Sequence, residues 1–317
     1  RQLVDVDDLV VRLVNQVPNH GGADEAASAR HENAHDDDTD VLRDLGGAQV
    51  SRPSTVDQEA RRAVIELAER AGREIAAIYH HGGAEVRDKA DGTPLTEADL
   101  ASERILSVGL RGQFAFPIAS EETKTAPYEE RRGWTTFWLV DPLDGTREFV
   151  NRTGEFAVAI ALVHHGRPVM GVIHAPLIGV TWSAISGEGA FRREGLGAED
   201  AKLGPRALPA ARTALVSRSH RSGGKTDAYL ERLGVEETRP SGSAIKFGHM
   251  AEGAAHLYVR LGPTMEWDVA AGDCICAEQG LEVVRVPEGT PLDYNTETLV
   301  NPAFIVRDRA DPLSRSL

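Results

Sequence analysis

The segment Trp138-Leu139-Val140-Asp141-Pro142-Leu143-Asp144-Gly145-Thr146 limits what this chain can be more than any other stretch. An apolar run with the character of a buried strand ends on two carboxylates three positions apart. Pro142 disfavours helix at the residue before it, so the strand is expected to stop at Asp141. Asp144-Gly145-Thr146 can then start a helical turn whose first N–H groups face an anion. A strand end that delivers acids beside such a turn suits hard divalent cations and a phosphate together. The chemistry indicated is metal-assisted hydrolysis of a phosphate ester.

Magnesium takes several hard oxygen ligands, so further acids must converge on Asp141 and Asp144. Glu121 follows the apolar residues 116–119 in Ser120-Glu121-Glu122, and Asp268 lies in Trp267-Asp268-Val269-Ala270-Ala271-Gly272, an expected helix start. Each also has an ordinary reading. Asp-Gly is a common turn, Asp268 suits an N-cap, and Glu121-Glu122 suits a solvated loop. On spacing alone, Thr96-x-x-Asp99 reads as a capping box.

The chain has 317 residues, which suggests about two domains at ~150 residues each. The 35 basic and 49 acidic side chains leave a formal charge of −14, a field that repels nucleic acid polymers and anionic membranes. An anionic substrate therefore needs bound cations and a few local Lys or Arg. No apolar run approaches the ~18 residues of a membrane span. Asp5, Asp7 and Asp8 interrupt the first apolar stretch, which argues against a secretory signal there, and a first residue of Arg1 rather than Met suggests a fragment or processed form. Cys274 and Cys276 are too few for a disulfide scaffold and fit a reducing cytoplasm. A peripheral position at the cytoplasmic side of the inner membrane is the alternative. On a helix their spacing turns the two thiols to nearly opposite faces, as small core residues.

Residues 1–52 read as an acidic extension, with eleven acids and no Lys. Leu3, Val6, Val10, Leu13, Val14 and Val17 fit a short amphipathic helix, and residues 19–47 a disordered linker with stray histidines at His31 and His35. Residues 54–192 are expected to form an α+β lobe with the metal motifs, and 193–310 an α/β lobe with substrate-anchoring residues, divided within the Gly- and Arg-rich stretch 187–208. Thr55 and Gln58 match a capping box, after which Ala60, Val64, Leu67, Ala71, Ile75 and Ile78 trace a helical stripe. A hairpin is expected around Asp91-Gly92, and a second helix from Thr96 to about residue 110. Strands are expected at 136–140, 156–163, 169–173, 181–185, 213–217, 256–261 and 281–286, with helices at 225–233, 243–253 and from Asp268 to before Gly280. Such alternation argues for α/β or α+β layers.

Ser120-Glu121-Glu122, Asp141-Pro142-Leu143-Asp144-Gly145-Thr146 and Trp267-Asp268-x-Ala270-Ala271-Gly272, in this order and at these separations, resemble the inositol monophosphatase superfamily over residues 54–308. Arg147-Glu148-Phe149 and the stretch from Gly242-Ser243-Ala244-Ile245-Lys246-Phe247 to Tyr258-Val259-Arg260 are most similar to its CysQ-type 3'(2'),5'-bisphosphate nucleotidases. The resemblance implies a layered αβαβα sandwich in two lobes with the metals between them. It implies Glu121, Asp141, the Leu143 carbonyl, Asp144 and Asp268 as ligands of two or three Mg²⁺ ions, with Asp141 bridging two. It implies that Asp99 orients Thr146, which with Glu121 positions the attacking water, and that the Gly145 and Thr146 amides hold phosphate oxygens. Inhibition by lithium is implied as well.

The metal motif does not choose among phosphate esters; groups elsewhere must. A nucleoside 3',5'-bisphosphate carries a second phosphate that needs cationic or N–H donors away from the metals. Ser217-Arg218-Ser219-His220, Ser243, Lys246 and Arg260 match positions where such nucleotidases hold it. The plain alternatives are a solvated helix lysine and a surface strand arginine. Leu261 stands where inositol enzymes of the superfamily commonly place a Glu, which weighs against inositol, and Arg147 replaces a frequent Lys. The leading expectation is hydrolysis of adenosine 3',5'-bisphosphate to AMP and phosphate, together with its 5'-phosphosulfate analogue, removing a by-product of sulfate activation. The others are an inositol or sugar phosphatase, and a non-catalytic acidic protein that binds divalent ions and a partner.

Overall fold

Helix α1 (Gln58–His80) forms where the apolar stripe lies, burying Val64, Leu67, Ala71 and Ile75. This is a computed structural model, describing residues 52–53, 55–82, 87–88, 94–218 and 224–311. The expected N-terminal helix and linker, the Asp91-Gly92 turn and His220 lie outside the described residues. The cap of α1 differs from expectation: the Asp57 carboxylate, not Thr55, accepts the Ala60 N–H at 2.8 Å. Asp57 is two residues closer to the first turn and so reaches its free amides.

Strand β1 (Arg87–Asp88) pairs antiparallel with β2 (Pro94–Leu95), and α2 (Glu97–Gln113) follows. Next come β3 (Ile118–Ser120), α3 (Tyr128–Arg131), β4 (Thr136–Asp144), α4 (Thr146–Val150), β5 (Ala157–His164), β6 (Arg167–Ala175), β7 (Val180–Ile185), β8 (Gly189–Glu194) and β9 (Ala201–Lys202). Strands β3 to β9 lie side by side in chain order as one seven-stranded sheet; only the β3–β4 pair is parallel. His165 and Gly166 both adopt positive φ, 48° and 71°, in the tight turn between β5 and β6. The stretch 187–208, expected as a boundary, supplies β8 and β9 to this sheet.

The remaining elements are β10 (Thr213–Ser217), α5 (Lys225–Arg232), β11 (Glu237–Ser241), α6 (Ile245–Glu252), β12 (Leu257–Arg260), β13 (Thr264–Met265), α7 (Glu266–Ala277), β14 (Leu281–Arg285), β15 (Val300–Asn301) and β16 (Phe304–Asp308). A five-stranded sheet runs in the order β11-β10-β12-β16-β14, while β13 and β15 form a small antiparallel pair. Among the described residues no helix is long and apolar enough to cross a membrane.

Strand periodicity builds the layers. Trp138, Val140, Val158, Ile160 and Leu162 share a core with Val64, Leu67 and Leu106 of α1 and α2. The intervening residues, Phe137, Leu139, Ala157, Ala159 and Ala161, point the other way into a core shared with α6 and α7. Leu215, Tyr258, Phe304 and Val306 close that core from the five-stranded sheet. Ala214, Val216, Leu257 and Ile305 occupy its outer face with Leu230 of α5. The result is the expected αβαβα sandwich.

Small residues let α7 approach the large sheet closely. A Cβ added to Gly171 on β6 would lie 2.3 Å from the Ala271 carbonyl oxygen. Backbone cannot swing aside as a side chain can. Gly171→Ala is therefore expected to destabilise the protein by at least ~2 kcal/mol, read as a lower denaturant midpoint at unchanged m value.

His174 is 2% exposed and contacts Thr181 Oγ1 at 2.8 Å through Nδ1. Burial, reinforced by Arg73 and Arg193, lowers its pKa from 6.5 to about 4. The unfolded chain thus binds the proton more readily, so this stabilisation is full above pH 6.5 and lost as pH falls through about 4. His174→Gln should remove roughly 2–3 kcal/mol of the stability lost between pH 7 and 4.5, measured by denaturant titration. An unchanged acid slope would refute the buried neutral imidazole.

Candidate active site

The acids converge because separate elements end at one place. Glu121 follows β3, and its N–H donates to the Val140 carbonyl of β4 at 3.2 Å. Asp141 lies within β4, which continues through Pro142 to Asp144 rather than stopping. The reason is local. The β3–β4 ladder ends at Ser120–Val140, and the β4–β5 register slips between Asp141 and Asp144, so the missing Pro142 N–H breaks no ladder bond. Asp268 enters from α7, where its Oδ2 accepts the Met265 N–H at 2.8 Å. The start of α7 is itself held by Glu266, fully buried, whose carboxylate accepts the Asn295 and Thr296 N–H groups at 2.6 and 2.8 Å.

One carboxylate oxygen from each of Glu121, Asp141 and Asp268 lies within 4.8 Å of the others. Asp144 lines the same cavity but stands outside that trio, its Oδ2 accepting the Ala244 N–H. Asp141 is 2% exposed and its Oδ1 accepts the Leu143 N–H at 3.0 Å. Burial first, then Glu121, Asp144 and Asp268, pushes the Asp141 carboxyl well above its usual range. Burial and Asp144 do the same to Asp268. Asp144 rises to about 6 through burial, opposed by Lys246 and the Ala244 amide. Carboxylates pressed together out of water are short of positive charge. With only oxygen donors and no His or Cys in the trio, the set fits a hard cation such as Mg²⁺ rather than zinc or copper.

Asp99 bonds in two directions. Its Oδ2 accepts the Thr96 N–H and hydroxyl at 2.7 and 2.6 Å, completing the capping box of α2. Its Oδ1 accepts the Thr146 hydroxyl at 3.2 Å, and the Leu143 carbonyl is 3.3 Å from that same hydroxyl. Gly145 adopts φ 94° at the start of α4, and a Cβ there would lie 3.0 Å from Ser243 Cβ. Only glycine allows the turn and the close approach together.

A cavity of about 570 Å³ joins these groups, lined also by Ser217, Ser243, Lys246, Arg260, Met265 and Val300. Lys246 is 4% exposed, so it is not a solvated helix lysine. Its Nζ donates to the Ser241 and Ser243 carbonyls at 3.3 and 2.5 Å. Burial, offset by Asp144, brings its pKa down to about 8. Arg260 donates to the Pro263 carbonyl at 3.2 Å. Its buried Nε has no hydrogen-bond partner among the described residues. Arg218 instead pairs with Glu155, and His220 lies outside the described residues. Leu261 packs against the outer core of the five-stranded sheet.

Sequence reasoning missed the Ala244 amide, Glu155, Glu266 and the apolar wall of Met265 and Val300. Ser243, expected from its motif, adopts φ 48°. The missed groups are paired across the fold and leave no local pattern.

The chain belongs to the inositol monophosphatase family, which matches residues 56–313. Within it, the chain is 42% identical over 251 residues to the 3'(2'),5'-bisphosphate nucleotidase CysQ of Escherichia coli K12, covering 77% of this chain and 97% of that one. The corresponding Shigella flexneri protein is 41% identical over 251 residues, with the same coverage. A solved structure of CysQ from Bacteroides thetaiotaomicron superposes with a TM-score of 0.73 at 39% identity, covering 81% of this chain and all of that one.

Proposed function

We infer that this protein is a metal-dependent 3'(2'),5'-bisphosphate nucleotidase that releases phosphate from adenosine 3',5'-bisphosphate to leave AMP. The observation that carries the reading is a trio of converging carboxylates in one cavity with Lys246 and Arg260, in a chain about 40% identical to CysQ nucleotidases. The family is metal-dependent, and sensitivity to lithium is typical of it. Two or three Mg²⁺ ions, held by Glu121, Asp141, the Leu143 carbonyl, Asp144 and Asp268, are the proposed complement. When bound, they would supply Lewis-acid charge for in-line attack of water on phosphorus.

The protein's own groups do the rest. Asp99 takes the Thr146 proton in a hydrogen bond and so leaves a Thr146 lone pair to accept from the attacking water. Glu121 would position that water together with Thr146. The Gly145 and Thr146 amides, at the open end of α4, hold nonbridging phosphate oxygens. Ser243, Lys246 and Arg260 hold the phosphate that is not cleaved, and His220 is assigned there from its motif alone. The phosphosulfate analogue fits the same anchors, which suits removal of a sulfate-activation by-product. Two buried free thiols suit a reducing cytoplasm.

A phosphate-release panel with saturating Mg²⁺ tests the reading. Adenosine 3',5'-bisphosphate is expected to exceed inositol 1-phosphate by ~10²-fold in kcat/KM, since the latter lacks the anchored phosphate. Asp144→Asn should be inactive on both. Faster inositol release by the wild type would overturn the nucleotidase assignment.

A further inference from the structure

Glu155 lies just before β5 and reaches across to the other sheet. Its Oε2 accepts from Arg218 Nε and from the Gly242 N–H, both at 2.7 Å, and its Oε1 accepts from Arg218 Nη2 at 2.7 Å. Arg218 and Gly242 directly follow β10 and β11, parallel neighbours whose ladder ends at Ser217–Ser241. One carboxylate therefore ties the ends of both strands to the large sheet. The Arg218 N–H donates to the Ser241 carbonyl at 3.3 Å, which joins the two ends to each other. The packing is tight: a Cβ on Gly242 would lie 2.7 Å from the Glu155 carbonyl oxygen.

Ser217 and Ser243, adjacent in sequence to the tied residues, line the cavity; Glu155 and Arg218 do not. We propose that Glu155, with Arg218, is a positioning pair that sets the width of the cavity on the five-stranded-sheet side and so governs affinity for the substrate's uncleaved half. The proposal rests on the nucleotidase reading above. Glu121, Asp141 and Asp268 stand on segments this pair does not tie, whereas Asp144 touches the tied segment through the Ala244 N–H, so a small ester that uses only those acids senses the pair far less than the bisphosphate does. The ion pair is partly exposed, with side-chain exposures of 39% and 26%, and such a pair adds little to global stability. Its loss therefore shows in binding geometry rather than in folding.

The test is steady-state kinetics of Glu155→Gln, Arg218→Ala, Arg218→Lys and the double variant Glu155→Gln/Arg218→Ala. The substrates are adenosine 3',5'-bisphosphate and 4-nitrophenyl phosphate, each with an Mg²⁺ titration. Glu155→Gln and Arg218→Ala should each raise KM for the bisphosphate about tenfold, with kcat, 4-nitrophenyl phosphate turnover and the Mg²⁺ midpoint within about twofold. The double variant should lose no more than the worse single one, and Arg218→Lys should recover part of the loss. Equal losses on both substrates, an unchanged bisphosphate KM or additive losses in the double variant would each overturn the positioning role. A wild type that ignores the bisphosphate would instead overturn the nucleotidase reading. The pair is then judged by the same criteria on the ester that the wild type prefers.

Discussion

Asp141→Asn is expected to lower Mg²⁺-dependent phosphate release by ~10³-fold or more while raising the melting temperature of the metal-free protein. The two effects share one cause. Asp141 is 2% exposed, and its carboxyl is pushed up by burial and by Glu121, Asp144 and Asp268. Every neighbour named there repels its charge, so without a cation this arrangement opposes folding. Asparagine keeps the side-chain shape and an oxygen for the Leu143 N–H. It removes one repelling charge from the cluster, which favours the metal-free fold. It also removes one of the three converging anionic oxygens proposed to bind a dication. The wild type should gain ~2.7 kcal/mol at a hundredfold excess of Mg²⁺ over Kd, and the variant far less. Thermal melts with and without Mg²⁺, beside phosphate release, check this. A variant that keeps its Mg²⁺ shift and melts lower without metal would make Asp141 a structural acid.

Arg260→Ala is expected to reduce kcat/KM for adenosine 3',5'-bisphosphate by ~10²-fold and for 4-nitrophenyl phosphate by less than about threefold. A charge-assisted bond between guanidinium and phosphate is worth ~1.5–3 kcal/mol, and only the bisphosphate has a second phosphate to offer. Arg260 lines the cavity, and its buried Nε has no partner among the described residues. Lys246→Ala should behave differently. Its Nζ holds the Ser241 and Ser243 carbonyls and offsets the charge of Asp144, so its removal should harm both substrates, the bisphosphate more. Equal losses on both esters for Arg260→Ala would take that residue out of the anchor.

The layered fold was legible because its signals are local, and the four acids proposed as ligands do line one cavity. Alternating large apolar residues on β4 and β5 already mark strands buried on both faces, and their two registers go to two different cores. Asp144-Gly145-Thr146 forms the helical turn that its spacing implies, with Gly145 at φ 94°. The misreadings have equally particular causes. Proline statistics end a strand at Asp141, but β4 passes Pro142 because no neighbouring strand needs its N–H there. The Gly-rich stretch 187–208 looks like a connector, yet it pairs as β8 and β9. Arg218 sits in a motif that suggests a phosphate ligand, but its guanidinium is taken by Glu155 from another sheet. Asp99 reads as a capping residue on spacing alone, and its second oxygen also accepts the Thr146 hydroxyl across the fold.

Residue order by itself determined the donor types on offer: carboxylate oxygens at strand ends and helix starts, next to a turn that glycine makes. Those features depend on neighbours within a few bonds, where covalent geometry governs. Tertiary structure alone decided which acids stand within 4.8 Å, which amide Asp144 captures and which cations face the cavity. Charge interactions and burial act through space, and their strength depends on distances that chain order does not contain.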